Sequence, residues 1–176
     1  MKIRYHDPLP TRAAKKQVYD FAERVAEELD YQPGLPIEAV VSQAEGSITY
    51  RNAVGDKPES ILVEPDGEFE IFLPTMTSMS RDRFTIAHEL GHLYLHFPLV
   101  QRIHPGDGMR AYRWVDDSDE DLQRCEWEAN WFAAAFTMPE QLFRELVDSD
   151  GIEIAAIELG VSERAARVRA RTLGIA

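Results

Sequence analysis

Hydrophobic and polar positions along the chain switch several times between helical and strand spacing, and the switches assign most of its elements. From about Thr11 to Leu29, Val18, Phe21, Ala22, Val25 and Leu29 recur at helical intervals, and Pro33-Gly34 closes the segment. Pro36 to Ala44 reads as a short helix and Ser47 to Arg51 as a strand. Ile61-Leu62-Val63 and Phe69 to Leu73 flank Pro65-Asp66-Gly67, the pattern of a hairpin. The second of these strands ends at Pro74. It is read either as an ordinary core strand or as the border of a cleft, pairing with an extended peptide by edge addition. Between Phe84 and Phe97 the apolar positions surround the helix: Ile86, Leu90, Leu93, Tyr94, Leu95 and Phe97 point to an element buried on most sides. Ser80 is the expected N-cap, with Met79 and Phe84 placed as a hydrophobic staple and Asp82 in the first turn. Pro98 is the expected stop. Gly91 weakens the helix interior, which implies the close approach of another backbone there.

Gln101 to Val115 is polar and aperiodic and reads as a long loop. His104, Tyr112 and Arg113 in it are either solvated or placed to polarise a carbonyl. The acidic run Asp116 to Asp121 reads as a helix start, with Ser118 and Asp121 as a capping box in which Asp replaces Glu. The helix that follows, about Asp119 to Phe136, carries Leu122, Cys125, Ala129, Phe132, Ala133 and Phe136 on its apolar face. After Pro139 a short helix over Gln141 to Val147 is expected. Further on, Ala156-x-x-x-Gly160-Val161-Ser162 and then Glu163 to Leu173 have the spacing of a helix-turn-helix. Together these elements predict an α+β fold: a small antiparallel sheet packed on a helical core, as one domain over residues 1–176, with a helical tail from about residue 139.

Composition narrows the function. At 176 residues the chain can bury a substantial core. Its single cysteine, Cys125, rules out an intrachain disulfide and suits a reducing compartment. The first ten residues, MKIRYHDPLP, lack the apolar core of a signal peptide, and no apolar run approaches membrane-spanning length, so a cytoplasmic protein is expected. A formal net charge of −12 argues against nucleic acid as a direct partner of the whole molecule.

The chemistry lies in His88, Glu89 and His92, an H-E-x-x-H run. Residues four apart stand one above the other on a helix, so both imidazoles can address one ion while Glu89 reaches a water beside it. A catalytic zinc ordinarily takes three protein ligands and keeps one position open. His96 lies eight residues from His88, about 12 Å of helical rise, too far along a straight helix to share the ion. Cys125 is a possible ligand or simply core. Glu126 and Glu128 lie about 200° apart around their helix, so only one of them can face the metal. Glu126 flanks Ala129 and Ala133 on the inward side, and Glu128 is less well placed. Asn130, one turn beyond Glu126, suits a partner that orients a ligand.

The two blocks R-x-R-F-T-I-A-H-E-L-G-H-L-Y-L-H, from Arg81 to His96, and E-W-E-A-N-W-F-A-A-A-F-T-M-P, from Glu126 to Pro139, resemble the ImmA/IrrE family of zinc metallopeptidases. The strands before them and the helices after them are also similar to that family, so the resemblance covers most of the chain. It implies a zincin-like metalloprotease core, Zn2+ on His88, His92 and Glu126, and Glu89 as catalytic base. In the family pattern the first Glu of E-x-x-A-N is the metal ligand. Thr137-Met138 departs from the Leu-Met often found there, at a position away from the chemistry. The resemblance also implies a protein substrate. Such proteins characteristically cleave a helix-turn-helix repressor, often encoded beside them, in phage, mobile-element or stress regulation. Two other readings stand beside it. The basic tail (Arg164, Arg167, Arg169 and Arg171) fits a DNA-binding regulator with a structural or sensing zinc, although Val161, Ala165, Val168 and Leu173 equally form a packing face. The third reading is a zinc-containing, antitoxin-like interaction module without turnover.

Overall fold

The structure is a computed structural model that describes residues 3–52, 55 and 58–175. It has the expected α+β class, with five strands in one sheet ordered β1-β5-β3-β4-β2. The strands are β1 (Tyr5–His6), β2 (Gly46–Tyr50), β3 (Glu59–Val63), β4 (Phe69–Leu73) and β5 (Gly108–Tyr112). The sheet is mixed rather than antiparallel. The β3–β4 hairpin is antiparallel and turns at Gly67 (φ 96°), and β3 also pairs antiparallel with β5, but β2 lies parallel to β4 and β1 parallel to β5. Because β2 covers β4 through its full register, β4 has no free edge for peptide addition.

β5 falls where a loop was expected. Met109 and Ala111 point into the core, while Arg110 and Tyr112 are half-exposed. Two inward residues set among Gly and Arg give too brief an alternation to stand out in the sequence. The loop also shortens at its start, since helix α4 (Phe97–Ile103) occupies residues after Pro98.

Helix α1 (Lys15–Glu28) buries Val18, Ala22, Val25 and Ala26 on one face. It starts later than its apolar pattern suggests, because Thr11 to Ala14 form an extended strap with Arg12 in the left-handed region (φ 56°). Helix α2 (Glu38–Gln43) leads into β2. Helix α3 (Met79–Gly91) is capped by Ser78, whose hydroxyl accepts from Arg81 N at 3.3 Å, and not by Ser80. The shift makes Met79 a helical residue that is 85% exposed, so it makes no staple.

Pro98 does not end the segment. After α3 the chain forms one π-helical turn, His92–His96, and runs on into α4. In a regular α-helix the Pro98 ring would collide with the carbonyl four residues back; the wider turn moves it clear. Helix α5 (Glu120–Thr137) is capped by Asp119, which accepts from Leu122 N at 3.0 Å, in place of the expected Ser118 box. Ser118 instead donates from its N–H and hydroxyl to Asp116. Phe132 and Phe136 of α5 stack with Tyr94 and Tyr31, joining α5 to the core between sheet and helices.

The tail is helical as expected, but its first helix runs past Val147. In α6 (Glu140–Leu159) two helical segments meet at a kink at Gly151 (φ 85°), and α7 (Glu163–Thr172) follows a left-handed Gly160 and a Ser162 cap. These helices close around a second apolar cluster that includes Met138, Phe143, Leu159 and Ala166. Arg83 of α3 ties the tail down: it donates to Gly160 O at 2.5 Å and to Gly34 O at 3.1 Å.

Candidate metal centre

Two helices position the donors. His88, Glu89 and His92 come from the end of α3 and the first residue of the π turn, and Glu126 comes from the second turn of α5. The helices can approach because α3 carries Gly91 at the crossing: a β-carbon there would stand 3.0 Å from Ala129 Cα and 3.2 Å from Phe132 Cβ. His88 Nε2 lies 3.3 Å from Glu126 Oε2, His92 Nε2 lies 3.1 Å from Glu126 Oε1, and the two Nε2 atoms are 3.1 Å apart. Ligands held about 2.0–2.1 Å from a tetrahedral zinc stand roughly 3.3 Å from one another. The two imidazole nitrogens have that spacing, and each lies at a similar distance from one oxygen of the Glu126 carboxylate, so this donor set fits a small tetrahedral metal ion.

Each remaining ring nitrogen has a partner. His88 Nδ1 meets Asn130 Oδ1 at 3.0 Å, the orienting contact expected of Asn130. His92 Nδ1 meets His96 Nδ1 at 3.0 Å, and His96 Nε2 meets Glu128 Oε2 at 3.1 Å. His96 is thus a buried hydrogen-bonded histidine outside the donor triangle. Glu128, expected to be less well placed than Glu126, stays out of the triangle and is completely buried on the far side of His96. The sequence reading missed this because the groups that satisfy it come from Thr11, Arg12 and Arg124. The third histidine in the H-x-x-x-H-x-x-x-H run was the available signal.

Electrostatics follow from burial and from these partners. Burial works against charge on His88, but the Glu126 hydrogen bond and the charge of Glu89 push it up to about 9. Burial, with His88 and His96 nearby, pushes His92 down to about 4 despite the Glu126 bond. Burial raises Glu89 to about 7; His88, the Ser60 hydroxyl 3.1 Å away and Arg113 oppose the rise. Burial likewise disfavours the charges of Glu126 and Glu128. The contacts with His88 and His92 nevertheless hold Glu126 well below the ordinary range, and hydrogen bonds from His96, Arg124 and Thr11 bring Glu128 to about 2. A carboxyl poised near neutrality beside this triangle is placed to exchange protons with a water.

The other candidates lie outside the donor triangle. Cys125 is buried and takes no part in the triangle. Tyr112 lines a cavity of about 520 Å³ beside Glu126, together with Trp114 and several acidic residues. Arg113 donates to Phe72 O at 2.9 Å. His104 stacks on His6 with ring centroids 3.8 Å apart and planes 3° from parallel, near Asp107, a second His/His/Asp group. Imidazole lone pairs lie in the ring plane, so two parallel stacked rings are poorly aimed at a common ion.

Comparison with known proteins gives a family and solved structures of similar fold. The family model described as the IrrE N-terminal-like domain, of the M78 peptidases, matches residues 70–171, a span that contains His88, Glu89, His92 and Glu126. No curated protein matches the sequence. Among solved structures, a Mycobacterium tuberculosis transcriptional regulator superposes with a TM-score of 0.56 at 19% identity, covering 86% of this chain and 45% of that one. The chain therefore spans about half the length of that regulator. At this identity the likeness is one of fold. Among the described residues, no helix is long and apolar enough to cross a membrane.

Proposed function

The chain belongs to the IrrE N-terminal-like family of M78 peptidases, and from that premise we propose that it is a zinc-dependent endopeptidase with a regulatory role. Its substrate in this reading is a partner protein, a helix-turn-helix transcriptional repressor. The observation that supports it best is the Nε2–Nε2–carboxylate triangle with edges of 3.1 to 3.3 Å and a buried acid next to it.

His88, His92 and Glu126 hold the metal. Zinc in that position supplies a Lewis acid that polarises the scissile carbonyl and acidifies water. Glu89 takes the proton of the attacking water and returns it to the departing amine nitrogen. Ser60 donates to Glu89 Oε2 at 3.1 Å, fixing one oxygen and leaving the other for the proton. Asn130 orients His88 through Nδ1. The cavity beside Glu126 receives the substrate chain.

The DNA-binding reading of the tail finds little support. Arg169 is 1% exposed, donates to Met138 O at 3.0 Å and lies over the Tyr19 ring at 4.5 Å. Arg167 is paired with both Glu153 and Glu163. Two of the four arginines are therefore already engaged within the protein.

The test combines metal analysis of the purified protein with a cleavage assay on candidate helix-turn-helix repressors, with and without chelator. One zinc per chain and chelator-sensitive cleavage are expected. Stoichiometric zinc with no cleavage of any candidate would favour the interaction module.

A further inference from the structure

His96 and Glu128 touch none of the reacting groups, yet the protons they hold set how His92 presents itself. Glu128 has a fully buried carboxylate. Thr11 N and Oγ1 each donate to its Oε2 at 2.9 Å, and Arg12 N and Arg124 Nε each donate to its Oε1 at 2.8 Å. His96 Nε2, 3.1 Å from Oε2, completes the set. An ionised carboxylate only accepts hydrogen bonds, so the proton in this last bond belongs to His96 Nε2. An imidazole binds a metal through its unprotonated nitrogen and keeps its proton on the other, so with the ion on His92 Nε2 the proton of His92 sits on Nδ1. His96 Nδ1, 3.0 Å away, is the acceptor for it. His92 Nε2 then faces the space between Glu126 and His88 with its lone pair.

An apolar residue at position 128 would avoid the cost of a buried charge in a helix face otherwise built from Ala and Phe. The carboxylate supplies what an apolar group lacks, a direction for every proton along the line. The donors that hold it come largely from the Thr11–Arg12 strap, where the left-handed backbone of Arg12 accompanies an N–H aimed at Oε1.

We infer that Glu128 and His96 are positioning residues which, anchored by the Thr11–Arg12 strap, lock His92 with its proton on Nδ1 and its Nε2 lone pair free for the metal ion. The inference rests on His88, His92 and Glu126 being the zinc site. It assigns the N-terminal strap, more than a hundred residues away from α5 in the chain, a part in metal affinity.

The test uses the full chain, zinc titration against a competing chelator, and nitrogen NMR of the labelled imidazoles in the zinc-loaded protein. His96→Leu is expected to weaken zinc binding about 10- to 100-fold. His96→Gln is expected to recover most of that loss, because its amide oxygen accepts from His92 while its NH2 donates to Glu128. A variant with only structural damage would gain nothing specific from this replacement. Thr11→Val, which removes one of the five donors, is expected to give a smaller loss. In the wild-type spectrum His96 is expected to carry its proton on Nε2 alone. Zinc affinity within twofold of wild type in folded His96→Leu would overturn the proposal, as would a His96→Gln variant no better than Leu. A spectrum with the His96 proton on Nδ1 would overturn it even if every variant failed to fold. If the wild-type chain bound no zinc, the metal-site reading itself would fall, a result separate from any of these.

Discussion

Gly91 and Ala129 meet backbone to backbone where α3 crosses α5, next to His92 on one side and about one turn from Glu126 on the other: a β-carbon on Gly91 would stand 3.0 Å from Ala129 Cα and 3.2 Å from Ala129 O. The obstacle is helix backbone, which cannot swing aside as a side chain can. Gly91→Ala gains up to about 1 kcal/mol in helix propensity but forces the helices apart, at a typical overpacking cost of about 1–3 kcal/mol. A net loss of stability is expected in urea unfolding of the metal-free protein. Zinc affinity should fall with it, because the separation also moves Glu126 away from the histidines. Unchanged affinity in Gly91→Ala would show that the crossing does not set the ligand spacing.

Glu89→Gln keeps the volume of the side chain and the Ser60 contact but loses the basic oxygen. Zinc content should be unchanged, while turnover on a cleavable partner falls about 10²- to 10⁴-fold. Undiminished cleavage by the metal-loaded variant would remove Glu89 from its role.

Glu126→Ala removes a side of the triangle itself, and should lower zinc affinity far more than His96→Leu does. His88→Ala and His92→Ala should behave similarly. Zinc titration of all four variants checks the order, and full zinc affinity in Glu126→Ala would reverse the ligand assignment.

Cys125 is sealed between helices, and burial together with the charges of Glu128, Glu126 and Asp121 raises its thiol above the ordinary range. A raised value means less thiolate at any given pH, so the native protein should show no rise in alkylation by iodoacetamide between pH 7 and pH 9. Denatured protein should show the usual increase as the pH approaches about 8.5. Rapid labelling of the native chain at pH 8 would contradict the packing of α5.

Arg169 links α7 to Met138, Tyr19 and Glu23. Arg169→Ala is expected to destabilise the folded protein by about 2–4 kcal/mol, through lost packing and an unpaired carbonyl, measured by thermal or urea unfolding. Salt-dependent binding of duplex DNA, lost on changing Arg167 and Arg169, would instead restore the DNA-binding reading.

The sequence disclosed the α3 and α5 helices most fully, because their periodicity and their chemistry coincide: His88 and His92 lie one turn apart, and Glu126 stands beside the alanines that face them. It disclosed the hairpin through Pro65-Asp66-Gly67. What it concealed is non-local. β5 is recognisable only by its pairing with β1 and β3. The burial of Glu128 depends on donors from the N-terminal strap and from Arg124, which no periodicity along α5 records. The first tail helix runs past Val147, and a second helical segment follows the non-helical Gly151 before Leu159.

The π turn at His92–His96 has a consequence for how this helix tolerates change. It accommodates one residue more than an α turn, and Pro98 follows two residues after it. Deleting a single residue there would restore the regular spiral but bring the proline back against a carbonyl. Replacing the proline alone would leave the surplus residue in place. A regular helix is therefore reached only by a coupled deletion and substitution, and a lineage changing these positions singly would have to cross a destabilised intermediate.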